Sequence, residues 1–114
     1  VALEDWLNDG VPLTARVAQE CLGDWYGNNT PAGGSWQIDG QPVSPSALSI
    51  PSIAVIPAHD RIVPPESAMS LARSLPDCHT ISPQAGHIGM MAGRNAEATV
   101  WRPLETWLAA QCAK

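Results

Sequence analysis

Four consecutive apolar residues, Ile53-Ala54-Val55-Ile56, lie between Pro51 and Pro57, and no other stretch narrows the available folds as much. An unbroken apolar run of this length suits a strand buried on both faces, because a strand with one wet face alternates instead. The run ends in Pro57-Ala58-His59-Asp60, and Arg61-Ile62-Val63-Pro64-Pro65 reads as a loop. A helix is expected from about Glu66 to Leu75, with Ala68, Leu71, Ala72 and Leu75 on one side. Cys78 to Ser82 fits a second strand, and the stretch from Pro83 to Gly89 a loop. A final helix is expected from about Ala96 to Cys112, where Val100, Leu104, Trp107 and Leu108 form one stripe. Strand, helix, strand, helix is the βαβα pattern of parallel strands joined by crossovers, so the fold class is α/β. Two strands alone leave unpaired edges and bare faces, so the segment reads as one end of a larger sheet, incomplete on its own.

The remainder is less regular. Leu13, Val17, Cys21 and Trp25 recur every four residues, with Ala18 and Leu22 widening the stripe, which predicts a helix over residues 13–26. Pro12 suits its start, and Gly27-Asn28-Asn29 tolerates positive φ at its exit. Residues 30–48 are rich in Pro, Gly and Ser; Trp36 and Ile38 alternate with polar residues ahead of the turn signal Asp39-Gly40, which predicts a short hairpin. The chain thus divides into a helix and hairpin region, residues 1–48, in the position of the end of a cap or insertion, and the βαβα segment, residues 49–114.

Composition removes several function classes. The net charge is -5, and the six basic residues are scattered, so no cluster exists to neutralise nucleic-acid phosphates. No apolar run approaches the roughly 20 residues that span a bilayer, and no basic start precedes an apolar signal-like segment. The chain opens on Val1 rather than Met, and reads as processed or excised from something longer. Its three cysteines, Cys21, Cys78 and Cys112, are odd in number and widely spaced, and His59, His79 and His87 lack zinc-finger spacing. A reduced, cytoplasmic setting is expected, with no metal site and no cofactor.

Asp60 and His87 occupy matching places, each in a loop just beyond the carboxyl end of an expected strand. Open parallel sheets gather their reactive groups there. If the strands are neighbours, a carboxylate–imidazole hydrogen bond follows, which would fix the ring's tautomer and stabilise the imidazolium formed when the ring takes a proton. Gly86 and Gly89 would let the chain turn sharply and leave the ring uncovered. Taken singly, Asp60 reads as a turn former and His87 as a surface histidine; their combination favours the catalytic reading. His59 reads as the end of its strand, Met90-Met91 as core, and Trp25 and Trp36 as packing anchors.

The order acid, base, terminal helix resembles the last segment of the α/β-hydrolase superfamily, whose members run nucleophile, acid, base along the chain. A closer likeness is to the polyhydroxyalkanoate synthases. Trp25-Tyr26-Gly27-Asn28-Asn29 resembles an aromatic and Asn segment of that family, and the stretch from Gly34 to Val43 is similar to its G-x-x-x-x-G-x-x-V lead into the acid-bearing strand. Asp60-Arg61-Ile62-Val63-Pro64 with Ser67-Ala68 matches the acid motif, and Gly86-His87-Ile88 the base motif. Gly89-Met90-Met91-Ala92-Gly93 departs from the family's Asn-Pro-Pro segment and is more like the shorter synthases that work with a second subunit. The resemblance implies the C-terminal part of an α/β-hydrolase fold, with Asp60 as catalytic acid and His87 as base. It implies a Cys nucleophile that polymerises 3-hydroxyacyl-CoA into a polyester chain, and the upstream part of the same protein, a second subunit or a homo-oligomer as partner. Neither G-x-C-x-G nor G-x-S-x-G occurs here, and none of the three cysteines sits at a strand-to-helix elbow. The rival readings are a Ser-His-Asp hydrolase, such as an esterase or polyester depolymerase, and a non-catalytic subunit that binds a partner.

Overall fold

The computed structural model describes residues 2–113, which fall into two units divided between Val43 and Ser44. The first opens with helix α1 (Ala2–Asn8), which the sequence pattern does not announce. Helix α2 (Ala15–Gln19) continues without a break into a π-helical stretch, Glu20–Gly27, so the expected helix over residues 13–26 is present. Its apolar stripe is not buried: Leu13 precedes the first turn, and Val17, Leu22 and Trp25 are exposed. The exit is left-handed at Asn29, φ 51°, as the Gly-Asn-Asn run anticipates. Strands β1 (Gln37–Ile38) and β2 (Gln41–Pro42) pair antiparallel across Asp39 and Gly40, whose φ values of 50° and 75° meet the demand of a two-residue hairpin turn for positive φ at both central positions. Trp36 packs edge-on against Trp25, ring centroids 5.0 Å apart, and its indole N–H donates to Glu20 Oε1 at 2.7 Å. The two tryptophans are packing anchors, and they tie the hairpin to the helix.

The second unit follows the βαβα pattern. Strand β3 (Ser52–Val55) leads through a loop to helix α3 (Pro65–Ser74), strand β4 (Cys78–Ile81), the short helix α4 (Gly89–Ala92) and a final helix. Pro64-Pro65 starts α3 where missing N–H groups cost nothing. β3 and β4 are parallel and adjacent, in register Ser52↔Cys78 to Val55↔Ile81. Each position of β3 is half-buried rather than fully buried, and Ile56 just beyond it is buried. α3 packs on β4, and Ala72, Ala96 and Val100 are buried as well, Val100 with no exposed surface, as are Pro57 and Pro83 in the two loops.

The final helix begins as a π-helical turn, Glu97–Trp101, and becomes α5 (Arg102–Cys112). Pro103 accounts for the wide turn: it has no N–H to donate and its ring crowds the carbonyl one turn back, so the hydrogen-bond ladder must shift there. Among the described residues, no helix is long and apolar enough to cross a membrane.

Gly93 forms the corner between α4 and the final helix, its N–H donating to Gly89 O and its carbonyl accepting from Ala96 N–H. A Cβ at Gly93 would run into the Gly89 carbonyl, whereas at Gly86 or Gly89 it would meet only ordinary contacts. Gly93→Ala is therefore expected to cost about 1–3 kcal/mol, while Gly86→Ala and Gly89→Ala stay close to the parent. Urea unfolding of the three variants checks this, and equal stability of all three would refute the clash.

Candidate functional site

The β3–β4 ladder does not stop where the strands end. Ile56 N–H donates to Ile81 O at 2.8 Å, Ala58 N–H to Pro83 O at 3.0 Å, and His59 N–H to Ala85 O at 3.1 Å. The two loops therefore leave the sheet side by side, bound to one another residue by residue. Asp60 comes one residue and His87 two residues after the last rung, and the Asp60 Oδ2 to His87 Nδ1 distance is 2.8 Å. The expected pairing at one sheet edge is what the coordinates hold.

The two oxygens of Asp60 have separate partners. Oδ2 takes the imidazole, while Oδ1 accepts the N–H groups of Ile62 at 2.8 Å and Val63 at 3.0 Å. This Asx-type turn is the turn-forming role that Asp60 taken singly suggests, and it coexists with the imidazole contact. The carboxylate is buried, with 2% of its side-chain surface exposed, whereas the His87 side chain keeps 38%. Burial works against the charged carboxylate. The Val63 N–H, the His87 ring and the Ile62 N–H together outweigh it, helped by the ring's charge, and hold Asp60 below the ordinary 3.8. In the tautomer whose Nδ1–H donates to the carboxylate, Nε2 is left as an acceptor, and no described residue engages it.

Gly86 and Gly89 do not serve as sharp-turn residues: neither has positive φ, and α4 starts at Gly89, where a longer loop was expected. Met90 N–H donates to Gly86 O, so the helix turn begins on the histidine's own loop. His59 is exposed and bonded through its backbone, in keeping with a strand-end role. Met90 is half-buried and Met91 exposed. Cys78 starts β4 at the opposite end from His87, with roughly 10 Å of strand between it and the strand's end at about 3.3 Å per residue. Cys112 closes α5, and Cys21 belongs to the other unit. All three thiols are free. Among the described residues, no group of three His, Cys, Asp or Glu could hold a metal ion.

A parallel α/β unit with a buried carboxylate holding a half-exposed imidazole at its carboxyl edge is the class of structure that these residues define. In sequence, the chain is similar to poly(3-hydroxyalkanoate) polymerase subunits. It is 27% identical over 109 residues to the poly(3-hydroxyalkanoate) polymerase subunit PhaC of Haloferax mediterranei, covering 94% of this chain and 22% of that protein. The identically named proteins of Haloarcula marismortui and Allochromatium vinosum are 25% and 26% identical, over 92% and 93% of this chain and 22% and 30% of their own lengths. The chain thus spans less than a third of the length of these relatives. No protein-family model matches it, and no solved structure matches it significantly.

The lowered Asp60 pKa has a pH signature. A carboxyl whose folded value lies below its unfolded value stabilises the fold fully above the unfolded value, and that contribution is lost as pH falls from 3.8 through the folded value. The stability gap between the parent and Asp60→Asn should therefore be constant near neutrality and close as pH drops below 3.8. Urea midpoints of both proteins from neutral to about pH 2 decide it; a gap that widens in acid would contradict the assigned direction.

Proposed function

We propose that this chain is the C-terminal part of an α/β-hydrolase-fold acyltransferase of the polyhydroxyalkanoate synthase kind. The observation that carries the reading is the 2.8 Å contact between Asp60 Oδ2 and His87 Nδ1, which leaves Nε2 unengaged. The names of the three relatives support the polymerase assignment and the transferase class. In the whole enzyme, His87 Nε2 takes the proton of a Cys thiol supplied from outside these 114 residues. The thiolate attacks the thioester carbonyl of a 3-hydroxyacyl-CoA, and the CoA thiol leaves with the proton returned by His87. The ring then deprotonates the 3-hydroxyl of a second 3-hydroxyacyl-CoA, which attacks the enzyme thioester; the C–S bond to the enzyme breaks, the Cys thiol leaves with the proton returned by His87, and the chain is lengthened by one unit as its CoA thioester. Throughout, Asp60 holds the tautomer and balances the charge on the imidazolium. We assign the protein to the cytoplasm, a setting in keeping with its free thiols.

The test is acyl transfer from a 3-hydroxyacyl thioester, and separately ester hydrolysis, by the full-length protein. His87→Ala is expected to remove most activity, and Asp60→Asn to lower it by about 10⁴, the scale set by the triad acid of serine proteases. Parent-level turnover in either variant removes that residue from the mechanism. Hydrolysis without polymer growth assigns the site to an esterase instead. The 114-residue chain by itself should show no turnover above background, since it carries base and acid without the attacking group.

A further inference from the structure

The carboxylate of Asp60 is held from two sides, and the two holds differ in kind. On Oδ1 both partners are backbone N–H groups, Ile62 at 2.8 Å and Val63 at 3.0 Å, which can only donate. On Oδ2 the partner is His87 Nδ1 at 2.8 Å, and a ring nitrogen donates in one tautomer and accepts in the other. The loop that carries the two fixed donors is anchored at both ends. His59 N–H donates to Ala85 O just before Asp60, and Pro64 O accepts the N–H groups of Ser67 and Ala68 where α3 begins. The side chains of Ile62 and Val63 take little part, being 66% and 39% exposed. Arg61 lies between them and Asp60, and its N–H makes no hydrogen bond with a described residue.

We infer that Ile62 and Val63 are positioning residues whose N–H groups, acting through Asp60, decide which nitrogen of His87 carries the proton. Two donors on Oδ1 fix the last torsion of the Asp60 side chain, and with it the atom that faces the ring. An ionised carboxylate only accepts, so that atom is a bare oxygen; the proton then sits on Nδ1, and Nε2 is open to take another. A free imidazole prefers its proton on Nε2, so the clamp works against the ring's own bias. The same clamp inverts the outcome when an amide replaces the carboxylate. The amide oxygen must stay on the two N–H groups, because an NH2 group in that place would leave buried donors unsatisfied. The NH2 group then faces Nδ1, which becomes an acceptor, and the proton moves to Nε2. The ring is neutral in both forms, and only the place of its proton differs. This selection holds whatever acyl group the site handles, so it stands or falls separately from the reaction proposed above.

Long-range proton–nitrogen NMR correlation of the histidine rings in the full-length protein, in mildly alkaline buffer, reads the tautomer directly. The His87 signal is the one missing from His87→Ala. The parent should hold the Nδ1–H form, and Asp60→Asn the Nε2–H form by roughly tenfold or more. Replacing Val63 by its α-hydroxy acid turns one amide into an ester and removes that N–H alone. Made in the Asp60→Asn protein, it lets the side-chain oxygen turn toward the ring, and the Nδ1–H share should rise about five- to tenfold, the scale of one hydrogen bond. The same replacement at Arg61 should leave the share unchanged, and so should Ile62→Ala, which keeps the N–H. An Nδ1–H ring in Asp60→Asn, no rise on the Val63 replacement, or an equal rise from Arg61 overturns the clamp. Acyl transfer lost in Asp60→Asn without inversion of the tautomer would keep the proposed function and discard the clamp. Inversion in a protein whose parent transfers no acyl group would do the reverse.

Discussion

The arrangement of this molecule's reactive edge depends on a ladder of backbone hydrogen bonds that outlasts its own strands. From Ser52 N–H on Asp77 O to His59 N–H on Ala85 O, successive residues of two loops and two strands are bound pairwise. Side chains at the ends of neighbouring strands can diverge freely if the chains separate at the last rung. Here separation is delayed to within one residue of Asp60 and two of His87, so the 2.8 Å contact between them follows from register more than from any affinity between the two groups. A one-residue slip would turn the ring to the other face.

Energetically the second unit is economical. Its buried apolar residues are few, and two of them are alanines, Ala72 and Ala96, which allow close approach but contribute little apolar area each. Val100 and Ile56 carry most of that burial. The one buried charge, Asp60, is fully partnered, and no buried side-chain polar atom among the described residues lacks a hydrogen bond. The polar network around Asp60 is thus satisfied within the loops that build it.

The strands and α3 were legible to within a residue or so because their signals are local: a continuous apolar run, a Pro-Pro helix start, apolar spacing on one face. The hairpin was legible because Asp39-Gly40 has few alternatives. The positions of Asp60 and His87 could be read for the same reason, both being anchored to strand ends. What escaped has physical causes. Ala2–Asn8 and Gly89–Ala92 are too short to show a period, and the second is hidden among glycines that resemble a loop. The π-helical turns at Glu20–Gly27 and Glu97–Trp101 are departures from the 3.6-residue period on which such reading rests. The stripe from Leu13 to Trp25 was visible, yet periodicity reports a face and not what covers it. Gly93, the glycine whose Cβ space is occupied, looked no different in sequence from Gly86 and Gly89, which could both be alanine.

The division of labour between the two oxygens of Asp60 has a consequence for the cost of moving a proton. A carboxylate bonded only to an imidazole can rotate about its last torsion, and a charge appearing on the ring must then wait for that rotor and its solvent to settle. Oδ1 is held by two backbone amides, so the rotor is already frozen. A proton reaching Nε2 would meet an oriented dipole, and the reorganisation energy that water would otherwise demand has been spent when the chain folded.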